Sequence, residues 1–252
     1  MIHFLLDTRK IDLDDSILVV GGGTNDRNAL FALKFKNVII SNVSHHAGVK
    51  EYHPYEWIKA DINNLHFNNN QFDWVFVSAA LHHLYSPHRG LCEMLRVAKN
   101  GVFVIESRDN LLSRIGRKLN LIPEYEIDAI LRDGKGGVED SHIPNFIYRW
   151  TRAEIIKTTN SFLPHTKNKF FFFNNYQIPL ERLKRSKKTL IKLLFPFIKV
   201  SVTLIRLFFP KQANEFGFII VKGKKLHPWL KGKLDSPDLN LNYIRERFKT
   251  SL

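Results

Sequence analysis

Apolar runs and amphipathic stretches take turns along the first hundred residues. Ile17-Leu18-Val19-Val20 is continuously aliphatic, the pattern of a parallel strand buried on both faces. It runs into Gly21-Gly22-Gly23, and a helical pattern follows from Asp26 to Phe35. Val38-Ile39-Ile40-Ser41 predicts a second strand, Trp57 to Asp61 a short third, Phe72 to Ser78 a fourth and Val102 to Glu106 a fifth. Between the last two, Pro87 to Ala98 places Leu91, Leu95 and Ala98 on one helical face. This βαβ rhythm predicts an α/β fold: a doubly wound, mostly parallel, Rossmann-like sheet with helices on both faces. Such sheets bind ligands at the carboxyl ends of their strands, where strand order reverses.

After Ser107 the rhythm breaks. Asn110 to about Leu121 has helical spacing, and Asp133 to Asn145 has the composition of a mobile loop. Thr151-Arg152-Ala153-Glu154 reads as a capping box opening a helix to about Phe162. Lys169 to Phe173 and Gly217 to Val221 are two late strands that can pair antiparallel. The pattern divides the chain into a core of residues 1–176 and 215–230, a basic apolar helical insertion at 177–214, and a polar, partly irregular tail at 231–252. No internal repeat is visible.

The insertion departs from the rest. It opens with Arg182, Lys184, Arg185, Lys187 and Lys188 and continues as an apolar segment to Phe209. Lys192, Lys199 and Arg206 are spaced by seven, so a helix aligns them in one stripe. Pro196 is expected to kink this helix or start a second one. Three cations and a proline make a spanning helix costly. Two readings remain: an interfacial helix with its apolar face in the acyl boundary and its cations on anionic headgroups, or a subdomain packed on its own chain or on a second subunit of a homodimer. The aliphatic character between the cations weighs against nucleic acid.

Charge bears on the same question. At 252 residues one elaborated domain is expected, and its net charge is +14. Such a field favours phosphorylated substrates, nucleic acid or an anionic membrane surface; a Lys- and Asn-rich base composition gives the same excess. The single cysteine, Cys92, excludes an internal disulfide and a cysteine zinc cluster and fits a reducing cytoplasm. The N-terminus carries no signal-peptide pattern. His45-His46 reads as surface, and no metal-binding cluster stands out.

Five motifs then fall in order: Val20-Gly21-Gly22-Gly23-Thr24; Ser41-Asn42-Val43-Ser44; Ala60-Asp61-Ile62-Asn63-Asn64-Leu65-His66-Phe67; Phe72 to Ser78 with Leu81-His82-His83-Leu84; and Glu93 to Gly101. In this series the chain resembles the class I S-adenosylmethionine-dependent methyltransferases, in particular the small-molecule group with the ubiquinone and menaquinone C-methyltransferase pattern. The resemblance covers Ile17 to Ser107 well and continues loosely to Phe162. It implies S-adenosylmethionine as cofactor. It also implies that Gly21, Gly22 and Gly23 admit the amino-acid tail, Asn42 and Val43 meet the ribose, Asp61 and Ile62 meet the adenine, and Ser78 lies near the methyl group. Three positions depart from the family. Val19 stands where an acidic residue is usual, Asn25 where a third glycine is, and Asn42 where a carboxylate is. Asn42 can still accept from a hydroxyl, without the charge that roughly doubles such a bond. The departures imply weaker cofactor binding or compensation elsewhere.

Methyl transfer needs alignment above all, and an oxygen acceptor also needs its proton taken. His82 and His83, just past the fourth strand, are candidates for that role or for packing against the cofactor. Glu106, ending the fifth strand, can orient a substrate hydroxyl or cap the next segment. His142, Arg149 and Trp150 lie in or beside the loop expected to form a lid, together with the insertion. There they can clamp a substrate, Arg149 on a phosphate and Trp150 on a sugar; Trp150 can equally staple the helix that starts at Thr151. The expected activity is O-methylation of a sugar or lipid-linked glycan at the cytoplasmic membrane face. The alternatives are C-methylation of a quinone-like lipid, and a binding or scaffold protein that has kept the fold and lost catalysis.

Overall fold

The computed structural model describes residues 1–44, 48–120, 122–176 and 189–248. His45-His46 and the basic cluster from Arg182 to Lys188 lie outside the described residues, as does Leu121. Nine strands are described: β1 (Ile17–Val20), β2 (Val38–Asn42), β3 (Glu56–Lys59), β4 (Phe72–Ser78), β5 (Ala98–Ser107), β6 (Lys169–Asn175), β7 (Glu215–Val221), β8 (Leu230–Gly232) and β9 (Pro237–Leu239). Eight α-helices accompany them: α1 (Ile2–Asp7), α2 (Thr24–Ala32), α3 (Pro87–Val97), α4 (Leu111–Lys118), α5 (Ile127–Asp133), α6 (Arg152–Phe162), α7 (Thr189–Phe208) and α8 (Leu241–Phe248).

Seven strands form one sheet in the order β3-β2-β1-β4-β5-β7-β6. The first five pair in parallel, and β7 inserts antiparallel between β5 and β6. After β3 the chain crosses back over β1 to lay down β4, so strand order reverses between β1 and β4. Their carboxyl ends, Val20 and Ser78, therefore open onto the crevice where such sheets hold ligands.

Alternate residues of each strand enter opposite cores, which is why the strand sequences read as unbroken apolar runs. Leu18, Val20, Val75, Val77, Val102 and Val104 pack on one face with Leu91 and Leu95 of α3 and Ile155 of α6. Ile17, Val19, Trp74, Phe76 and Phe103 pack on the other with Leu5 of α1 and Leu30 of α2. Phe4 of α1 meets Phe171 and Phe173 at centroid distances of 5.0 and 5.3 Å, so α1 seals the β6 edge and not the crevice. The capping box forms as written: Thr151 Oγ1 accepts from the Glu154 N–H at 3.2 Å, and Glu154 Oε2 accepts from the Thr151 N–H at 3.0 Å.

Four features differ from the sequence pattern. Strand β5 begins at Ala98, because an irregularity in β4 between Phe72 and Trp74 lets the polar Lys99-Asn100 stretch stay in register. Helix α5 arises where no helix was predicted, and Gly134 ends it in the left-handed conformation, with φ 65°. Helix α7 runs twenty residues through Pro196, so no second helix starts there. The tail folds into the β8–β9 hairpin and α8. The insertion does fall between β6 and β7.

Gly101 marks a close backbone approach between β5 and β7: a Cβ there would lie 2.1 Å from the Ile220 carbonyl oxygen. Gly101→Ala is expected to destabilise the fold by about 1–3 kcal/mol, read as a lower denaturant midpoint at unchanged slope.

Candidate active site

The turn after β1 is built to admit a ligand. Gly21 has φ 61°, and a Cβ on it would stand 2.5 Å from that of Ala80. Gly22 donates to the Ser41 carbonyl at 2.9 Å, and a Cβ there would meet Val19 Cγ1 at 2.6 Å. Gly23 has open space where its side chain would be and caps α2. Asp26, in the first turn of that helix, accepts from the Gly23 N–H at 2.8 Å. Burial raises its pKa above the ordinary carboxylate value. Gly21 to Asp26, Asn42 and Tyr52 line an open cleft of about 450 Å³.

A second cavity, of about 160 Å³, shares Gly21 and Asn42 with this cleft and continues past Val43 and Ile62 to Ala80 and His83. Asn42 donates from Nδ2 to the Gly22 carbonyl at 3.3 Å, and its Oδ1 accepts from the Val43 N–H at 2.8 Å. Its roof is the turn Val138–Asp140 and the glycines before it. Two hydrogen bonds seat this roof. Ser44 Oγ donates to Asp140 Oδ2 at 2.6 Å, and Asn63 Nδ2 donates to Glu139 Oε1 at 3.0 Å. Glu139 and Asp140 both sit at positive φ, 51° and 61°, a conformation that costs of order 1–3 kcal/mol per non-glycine residue.

At the far end of the cavity stands a polar array. Glu106, buried at the end of β5, accepts from the Leu81 N–H at 2.7 Å and faces His82 Nδ1 at 2.8 Å. Glu126 Oε2 lies 3.7 Å from His82 Nε2 and 3.5 Å from His83 Nε2. Burial alone would lower the His82 pKa, but the two carboxylates outweigh it and hold it at about 10. His83 is pushed the other way, by burial first and then by the charge on His82. The Glu126 carboxyl is drawn down to about 2, chiefly by its hydrogen bond with His82. At neutral pH His82 is therefore an imidazolium, His83 a neutral imidazole and Glu126 a carboxylate.

The predicted site residues divide three ways. Gly21, Gly22, Gly23, Asn42, Val43, Ile62 and His83 line the joined cavities. Asp61 lies beside them, with Oδ1 accepting from Asn63 N–H and Nδ2 at 2.8 and 3.2 Å, and Ser78 ends β4 next to the wall residue Ala79. His82 and Glu106 stand behind His83. The remaining three are elsewhere. His142 is exposed on the roof loop. Arg149 donates to the carbonyls of Ile147 at 3.1 Å and Pro123 at 2.7 Å, which ties its guanidinium to the backbone. Trp150 is fully buried against Tyr148, His88 and Phe218. It is a core side chain with no open face for a sugar, which corrects that expectation. Sequence reasoning missed Asp26, Glu126 and Glu139. Asp26 carried a local signal, an acid in the first turn of a helix; the other two are brought in only by the path of the chain after β5.

A Methyltransferase domain family profile matches residues 18–105. No curated protein matches the chain. Among solved structures, a candidate methyltransferase of Bacillus halodurans C-125 is similar at 16% identity and a TM-score of 0.50, covering 87% of this chain and 96% of that one. YcgJ of Bacillus subtilis is similar at 13% identity and a TM-score of 0.53, covering 88% and 96%. A candidate methyltransferase of Haloferax volcanii, solved with the activator Trm112, is similar at 14% identity and a TM-score of 0.53, covering 86% of each chain. These likenesses carry the fold, and the profile carries the family over the strands that build the glycine cradle. The segment that builds the crevice between β1 and β4 thus matches a methyltransferase domain, in a sheet with the methyltransferase fold, and S-adenosylmethionine is the methyl donor for such a site.

Proposed function

We propose that the enzyme O-methylates a hydroxyl of a sugar or lipid-linked glycan, working at the cytoplasmic face of a membrane. The observation that carries the hydroxyl reading is the His82–His83–Glu126 array, backed by Glu106, at the inner end of the cavity. A carbon acceptor of quinone type has less need of such an array.

The residues fit the donor. The glycine turn leaves room for its amino-acid tail, and Asp26 stands where a carboxylate can answer the ammonium group, a role that Val19 cannot fill. Asn42 and Val43 face the ribose position, and Asp61 and Ile62 the adenine. When bound, S-adenosylmethionine supplies an electrophilic methyl group: the acceptor oxygen forms the new O–C bond, the S–C bond breaks with its pair left on sulfur, and the hydroxyl proton is released. The chain's part is to align the acceptor and to favour loss of that proton at the array.

Two features support a membrane-borne acceptor. The net charge of +14 draws anionic groups. Helix α7 exposes Phe197, Leu207 and Phe208 at 67–70%. Helix α4, tied to the end of the insertion by Asn110 Nδ2 donating to the Ala213 carbonyl at 2.6 Å, exposes Leu111 and Leu119. No described helix is long and apolar enough to cross a membrane, so the contact we propose is interfacial.

Three outcomes test this reading. Calorimetry is expected to show S-adenosylmethionine binding that Asp61→Ala and Asp26→Ala each weaken about tenfold, the scale of one charge-assisted hydrogen bond; unchanged affinity in both variants refutes the assignment of these carboxylates. Histidine NMR of the chelator-treated protein is expected to show His82 keeping its proton up to about pH 10 while His83 titrates below 6.5. Because the folded state raises the His82 pKa, its stabilising contribution is complete below pH 6.5 and is lost as pH climbs through about 10. Sedimentation with anionic liposomes is expected for the wild type and not for the Lys192→Glu, Lys199→Glu, Arg206→Glu triple variant; full sedimentation of the variant removes the interfacial helix from the proposal.

A further inference from the structure

We infer that His82, His83 and Glu126 form a binding site for one divalent transition-metal ion beside the methyl-donor cavity. The inference rests on the hydroxyl-acceptor reading, to which it adds the group that activates the acceptor.

The three side chains each offer one ligand atom, and these atoms lie within 4.8 Å of one another. The Glu126 oxygen stands 3.5 and 3.7 Å from the two imidazole Nε2 atoms. Ligands about 2.1 Å from a tetrahedral zinc ion lie roughly 3.4 Å apart, so little movement closes the set. Two imidazoles and a carboxylate are the donor set of a catalytic zinc centre with a position left open. That position falls to the cavity side, since His83 is itself a wall residue.

The surroundings of the ligands support the same reading. A metal-bound histidine characteristically gives its other ring N–H to a carboxylate or a backbone carbonyl. His82 turns Nδ1 to Glu106 at 2.8 Å, which leaves Nε2 for an ion, and His83 lines the cavity together with Gly137 of the roof. Glu106 is fixed in turn by the Leu81 N–H. Next to the set lies Asn145, fully buried: its Nδ2 donates to the His82 carbonyl at 3.4 Å, while its Oδ1 meets no donor.

An acceptor hydroxyl entering the open position would be lowered in pKa as a Lewis-acid ligand and would release its proton to solvent. The roof ties this site to the donor cavity, since Gly137, Glu139 and Asp140 line one cavity with His83.

The test uses the full chain, stripped with chelator and titrated with Zn²⁺ by calorimetry, then with Co²⁺ by visible absorption. We expect one equivalent of Zn²⁺, and Co²⁺ bands of a four- or five-coordinate ion. Glu126→Gln should remove the binding, and Glu106→Gln should weaken it ten- to a hundredfold, as loss of a supporting carboxylate does. S-adenosylmethionine binding by the same samples checks that both variants fold, and it reports separately on the methyltransferase reading. No Zn²⁺ binding by wild type, or binding that both variants keep, overturns the site. Full methyl transfer by the stripped enzyme without added metal overturns its role while leaving the methyltransferase intact.

Discussion

A carboxylate removed from water must be answered by donors, and Glu106 is the residue on which the site depends. It sits near the end of the interior strand β5 with almost no access to solvent, and its two oxygens are taken by the Leu81 N–H and the His82 ring. Those bonds hold the segment after β4 against the end of β5. They also fix which nitrogen of His82 is left to face Glu126. A charge buried this deeply costs several kcal/mol unless it is paired. The pairing therefore constrains backbone and side chains together, and the geometry of the inner cavity follows from it.

The sheet was legible because parallel strands buried on both faces write themselves as apolar runs, as in Ile17 to Val20 and Trp74 to Val77. The glycine turn was legible because its backbone demands leave few residue choices, and the order of five motifs gave it context. What was not legible came from the path of the chain after β5. Glu126 and Glu139 follow no local pattern, and only tertiary placement brings them to the cavity. Arg149 and Trp150 carry the residue types of a substrate clamp, but those types also serve backbone capping and core filling, and here packing took both. Pro196 in α7 shows the same limit. A proline lacks one helical hydrogen bond, yet flanking turns can carry the helix through it.

Helices α7 and α4 both leave large apolar side chains exposed, Phe197, Leu207 and Phe208 on one and Leu111 and Leu119 on the other. Large exposed apolar surface commonly marks a contact. The bond from Asn110 to the Ala213 carbonyl ties the end of the insertion to the start of α4, on the chain segment that follows β5 and that also supplies Glu126 and the roof. The exposed face of α4 and the inner array are in this way products of one stretch of chain.

The roof turn also bears on how a ligand is held. Side-chain hydrogen bonds from Ser44 and Asn63 hold a backbone that is strained at two successive residues. Two such bonds contribute about 1–3 kcal/mol together, which does not exceed the strain of two residues at about 1–3 kcal/mol each. The seated turn is thus not secured by these bonds alone. A ligand that touches Glu139 and Asp140 from the cavity gives up part of its binding energy to seat the roof, so its measured affinity understates the strength of its contacts.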